Sequence, residues 1–61
     1  MEKQVKILSD LINDNEYFKA NLNSLESTEE KVAYAFGAGM SRGVFNEEAA
    51  KQFVKTYYGG L

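Results

Sequence analysis

The chain of 61 residues has no cysteine, no histidine, no proline and no tryptophan. Without cysteine there is no disulfide to staple the fold, no thiolate metal site and no thiol nucleophile. Without histidine the usual zinc sites fall away, together with the commonest general base and the triads built on it. An enzyme would have to work with carboxylates, Tyr, Ser, Thr and Lys, on a body with little room for a ligand pocket of about 300 Å³ or more. The expectation is a non-enzymatic protein with no catalytic residues, no metal ligands and no cofactor. Long apolar runs are also missing. Nothing approaches the roughly 18 apolar residues of a membrane span, and "MEKQVKILSDL" at the start lacks the apolar stretch of a signal peptide. A cytoplasmic protein of bacterial or phage type, with no membrane partner, is expected.

What is present is enough for one small domain over residues 1–61. A chain this short buries only about 60% of the surface exposed when unfolded, so its core must be simple. The hydrophobic fraction of 44%, with four Tyr and four Phe, is that of a folding chain and not of a disordered one. Net charge is −2, unevenly spread. Residues 1–30 hold seven acids against three bases, and residues 31–61 hold four bases against two acids. That polarity is too weak to announce nucleic acid and reads as solvated helix faces.

With no proline and no sustained apolar/polar alternation, the pattern is helical: an all-α bundle of three to four short helices. Val5, Leu8, Leu11 and Ile12 form one amphipathic stripe, widened by Ile7. "NDN" at 13–15 interrupts it, because Asn and Asp side chains compete for backbone groups. A second helix is expected from Asp14 as N-cap, with Tyr17, Phe18, Leu22 and Leu25 inward; fusion to the first as one kinked helix is the alternative. "STEE" at 27–30 matches a capping box, Ser27 with Glu30, so a third helix should start at Thr28. Glu29 and Glu30 then complement the helix dipole and are not metal ligands. The inner face of this helix reads Val32, Ala35, Phe36, Gly39 and Met40. A last helix follows Asn46 as N-cap, with Phe45 expected to staple against Ala50 and a stripe of Ala50, Phe53, Val54, Tyr57 and Tyr58.

Three glycines punctuate "VAYAFGAGMSRG" at 32–43. Gly37 and Gly39 each cost about 1 kcal/mol against alanine inside a helix. Small residues four apart, Ala33 with Gly37 and Ala35 with Gly39, offer the compensation of close approach by a second helix, so Ala35, Gly37 and Gly39 are expected to be helix-packing positions. Gly43, after Ser41 and Arg42, is expected to stop the helix in the left-handed conformation. Gly37-x-Gly39-x-x-x-Gly43 misses the dinucleotide-binding spacing by one residue, and a P-loop ending is lacking.

Candidate function lies in surfaces. Phe18, Phe36 and Phe53 are expected in the core. Tyr17, Tyr34, Tyr57 and Tyr58 cannot all be hidden with satisfied hydroxyls, and exposed Tyr is a favoured interface anchor. Tyr57 and Tyr58 point about 100° apart on a helix, so one packs and one shows. The expected partner face comprises Tyr34, Tyr57 and Tyr58 with Arg42, Lys51 and Lys55. Helices 28–42 and 46–58 have helix-turn-helix spacing, but Glu47 and Glu48 open the second with the wrong sign for phosphate, which argues against nucleic acid.

"YYGGL" closes the chain, after "QVK", "ND-NEYFKANL", "STEEKVAYAFGAG" and "FNEEAAKQF". With these segments the chain resembles the nitrogen-fixation-related leader peptides that precede ribosomally made natural products. The resemblance implies a docking surface for a modifying enzyme or exporter on residues 28–58, and Gly59 and Gly60 as the cleavage site. Departures are the single residue Leu61 after the glycines and the extra glycines at 37–43. Besides a leader, two other roles suit the same residues: an inhibitor of a larger host enzyme, of phage or mobile-element origin, and a homodimer held through the small-residue groove of the third helix. All share one expectation, a helical module whose partner is a protein.

Overall fold

A computed structural model describes residues 2–59, and its elements are four helices: α1 (Glu2–Asp14), α2 (Glu16–Ser24), α3 (Thr28–Met40) and α4 (Glu47–Tyr58). No strand occurs among the described residues, so the fold is an all-α small bundle. No helix among them is long and apolar enough to cross a membrane.

The break between α1 and α2 is a single residue, Asn15, and it serves both helices. Its N–H closes α1 on the Leu11 carbonyl at 2.9 Å, while its Oδ1 accepts from the Phe18 N–H at 3.0 Å. Its extended backbone, φ −128° and ψ 104°, separates the two helices. Asn15, not Asp14, is therefore the N-cap. Tyr17 and Phe18 are neighbours in α2 and point about 100° apart, so only one of them can face inward. Phe18 and Leu22 face the core, and Tyr17, expected inside, is 84% exposed.

Ser27 caps α3 as expected, accepting the Glu30 N–H on Oγ at 3.0 Å, while the return contact of a full capping box, from the Ser27 N–H to the Glu30 carboxylate, is not formed among the described residues. The inward stripe of α3 is Val32, Ala35 and Gly39. Phe36 lies half-buried on one flank, and Met40, expected inside, is 58% exposed because it falls on that same flank a turn later. The helix stops at Met40, two residues short of expectation. Gly43, at φ 107°, turns the chain back so that the Val44 N–H reaches the Gly39 carbonyl at 2.9 Å.

Val44 explains Gly39. Its side chain is fully buried, and a Cβ built on Gly39 would lie 2.7 Å from Val44 Cγ2 and 3.0 Å from Leu8 Cδ2. Close approach is thus real at Gly39, but the approaching groups are a loop residue and α1. Gly37 is a correction: a Cβ there would meet nothing within 4 Å, because Ala33 and Gly37 sit on the exposed side of α3. Ala35 is fully buried, as a packing position requires.

Asn46 caps α4 through its Oδ1, which accepts the Glu48 N–H at 3.0 Å. The helix lies against α3 and α1 and buries Ala49, Ala50, Phe53 and Val54. Together with Leu8, Leu11, Ile12, Phe18, Leu22 and Val44 these residues form one core. Each large aliphatic or aromatic side chain fully buried there contributes about 1.5–3 kcal/mol. Phe45, the expected staple, is 79% exposed: Val44 takes the inward place opposite Gly39, and the next residue is turned out.

Candidate interaction surface

The six residues expected to form one partner face are divided among three places. Lys51 and Lys55 lie on the outer side of α4 and line an open groove of about 720 Å³ against α3. Arg42 and Tyr34 line a smaller cleft beside Tyr17, between α3 and the junction of α1 and α2. Tyr57 and Tyr58 sit at the end of α4, and Tyr57 is about 200° around the helix from Lys55.

Two of these tyrosines are engaged within the chain. Tyr34 stacks on Phe18, ring centroids 5.6 Å apart, and its hydroxyl accepts from Asn21 Nδ2 at 3.0 Å. Tyr58 donates to Asn23 Oδ1 at 2.6 Å. Burial raises the Tyr58 hydroxyl above its ordinary value, and the neighbouring Tyr57 adds to the shift. Lys31 completes this end of the bundle. Its Nζ donates to the carbonyls of Leu22 and Leu25, which close α2, and lies 5.0 Å above the Tyr58 ring. One of the pair 57–58 packs and the other shows: Tyr57 is 42% exposed.

Gly59 ends α4 at φ 60°, its N–H on the Lys55 carbonyl, and is exposed. Gly60, the other half of the expected cleavage site, lies outside the described residues.

The groove between α3 and α4 has Val32 and Ala33 on one wall and Lys51, Gln52 and Lys55 on the other. Its charged residues are Glu29, Glu47 and Glu48 against Lys51 and Lys55. Glu48 pairs with Lys51 at 3.5 Å in an exposed contact, which contributes little in water. Lys55 enters no ion pair among the described residues; the ion pairs there are Lys6–Asp10 and Lys51–Glu48.

Phe45 stands at the start of α4, and its backbone is held firmly. The side-chain oxygen of Gln4 on α1 accepts the N–H of Phe45 and that of Asn46, each at 2.8 Å. Val44 on one side is locked in the core, and Asn46 on the other is locked as a cap. A large aromatic ring is thus projected into solvent from a fixed base, with the entropy of its backbone already spent. Sequence reasoning assigned Phe45 to a staple and passed over Gln4 entirely. The signal that could have separated Val44 from Phe45 is Gly39, whose missing side chain leaves room for only one of them. For Gln4, 41 residues away from its acceptor's partner, there is no local signal.

No family model matches the chain, and no match was found among curated proteins or among solved structures.

Proposed function

We propose that the chain is a non-enzymatic helical module that binds another protein through its α3–α4 face, with Phe45 as the anchor. The observation that carries this reading is the exposed ring of Phe45 on a backbone pinned by Gln4, Val44 and Asn46. Rigid aromatic anchors that fill a partner's pocket dominate many interfaces, because little ordering is left to be done on binding. On α3 the half-buried Phe36 and the exposed Met40 and Ala33 share one side of the helix and add a second apolar strip. Lys51, Lys55, Glu47 and Glu48 give it a charged border.

This places the anchor on a residue other than the tyrosines. Tyr34 and Tyr58 already hydrogen-bond within the chain, to Asn21 and Asn23 at the bundle surface, so engaging a partner through their hydroxyls would break those contacts. Inhibition of an enzyme and docking to a modifying enzyme or exporter are two forms of the same reading, and the identity of the captured protein separates them.

Photo-crosslinking from inside the native cell tests the reading directly. With p-benzoylphenylalanine replacing Phe45, a discrete protein adduct is expected, and with the same probe replacing the equally exposed Tyr17 that adduct should be missing. Adducts from neither position, or the same adducts from both, would overturn it.

A further inference from the structure

The exposed stripe of α4 reads Glu48, Lys51, Gln52, Lys55, acid at its start and base at its end. Positions three and four apart share a helix face, so these side chains line one side of α4. When such a stripe is laid antiparallel against its own copy, about a two-fold axis between Lys51 and Gln52, Glu48 stands level with Lys55 of the second copy. The reciprocal pair forms at the other end. Lys51 then faces Gln52 and not another lysine. We infer that the protein binding at this face is a second copy of the chain, joined through antiparallel α4 helices; the inference rests on the α3–α4 face being the interaction surface.

Phe45 fits the same arrangement. One turn before Glu48, it comes level with Tyr58 of the second copy, where α4 ends. There the start of α3 lies alongside, as the position of Lys31 over the Tyr58 ring shows. That is the part of the groove walled by Thr28, Glu29, Val32 and Ala33, with Lys55 about 4.5 Å along the helix axis to offset the Glu29 carboxylate against the arriving acids. The phenyl ring gains an apolar wall and a lysine within cation–π reach. The acids beside it, Glu47 and Glu48, the latter shared with Lys51 of its own chain, meet Lys55, which enters no ion pair among the described residues. Two-fold symmetry makes both contacts twice, as an isologous interface must. A specific dimer needs about 1,000 Å² in total, or roughly an eighth of each chain's 4110 Å² surface. An interface of one helix face and one groove belongs at the small end of that scale, so the expected dimer is weak and depends on concentration.

Sedimentation equilibrium on the full chain, from about 10 µM to about 1 mM, reads this out. Dimer is expected to accumulate across that range. Phe45→Ala and Lys55→Glu should each weaken it about tenfold, and the double variant Glu48→Lys/Lys55→Glu should restore it to within about threefold, because both reciprocal pairs are reformed with their signs exchanged. All three changes are at exposed positions, and helix content by circular dichroism confirms that each variant is folded. A chain that stays monomeric to the top of the range overturns the inference. So does a dimer indifferent to Phe45→Ala and Lys55→Glu, or one that the double variant fails to rescue. Failure here is distinguishable from failure of the broader reading. A monomeric chain that still crosslinks from position 45 to a different protein keeps the interaction module and removes the second copy as its partner.

Discussion

The two ends of α4 meet opposite fates. At its C-terminal end Tyr58 and the neighbouring Lys31 find partners within the chain: Tyr58 on Asn23, Lys31 on the last carbonyls of α2 and over the Tyr58 ring. At its N-terminal end the backbone is equally well held, by Gln4 and the Asn46 cap, yet the ring between them is left in water. The first end spends its aromatic residues on folding. The second fixes an aromatic residue without using it. Residue type alone does not mark an interface, since the tyrosines look like anchors and two of them are structural. A pinned backbone beneath an exposed ring is the more telling feature.

The largest expected effect breaks the N-terminal end from beneath. Gly39→Leu places a side chain where Val44 and Leu8 already stand, and stability should fall by about 3 kcal/mol, at the upper end of overpacking costs. A urea melt measures this, and an unchanged midpoint would mean that Val44 does not occupy that space. Next in size is Gln4→Ala, which leaves two backbone N–H groups without their acceptor and should cost about 1–2 kcal/mol. Amide exchange at Phe45 and Asn46 should quicken while the α2–α3 end is unaffected. If both ends respond alike, the clamp is not local and the contrast between them fails.

Gly37→Ala sharpens the picture from the other direction. An alanine Cβ there meets nothing, so only the helix propensity changes, and stability should rise by about 1 kcal/mol. Two glycines in the same helix, two residues apart, thus respond with opposite signs. Spacing alone could not have told them apart, because both match the small-residue pattern and what separates them is a loop residue beyond the helix end.

That limit recurs along the chain. The all-α bundle of three to four helices, the Ser27 and Asn46 caps and most of the core were legible, because caps and periodic apolar stripes are local signals; whether α1 and α2 are separate was not legible. Leu8, Leu11, Ile12, Phe18, Leu22, Val32, Phe53 and Val54 all stand on such stripes and all are buried. The errors came where one residue decides an orientation. Tyr17 and Phe18 stand about 100° apart on α2 and only Phe18 faces in, and the choice of Val44 over Phe45 for the core left the Phe45 ring exposed. The candidate surface was legible only through Lys51 and Lys55. Its anchor depends on Gln4, and nothing near position 45 in sequence announces a residue from the first helix.

The smallest effect tests the C-terminal end, where the expected signature is a pH dependence. The Tyr58 hydroxyl titrates above its ordinary value of 10.0 in the folded chain, first because burial disfavours the phenolate and second because of Tyr57. The folded state therefore holds this proton more tightly than the unfolded one. Its contribution is fully present below pH 10.0 and is lost as pH rises through the higher folded value. The readout is a difference, which isolates this one hydroxyl: urea midpoints from about pH 9 to 11 for the natural chain and for Tyr58→Phe. At pH 7 the variant should be less stable by about 1 kcal/mol, from the hydrogen bond to Asn23. The gap should narrow above pH 10.0, as the unfolded chain begins to release its tyrosine proton while the folded chain keeps it. Parallel curves across the range would mean that Tyr58 is as free in the folded chain as in the unfolded one, and the two ends of α4 would then be alike in leaving an aromatic residue unspent.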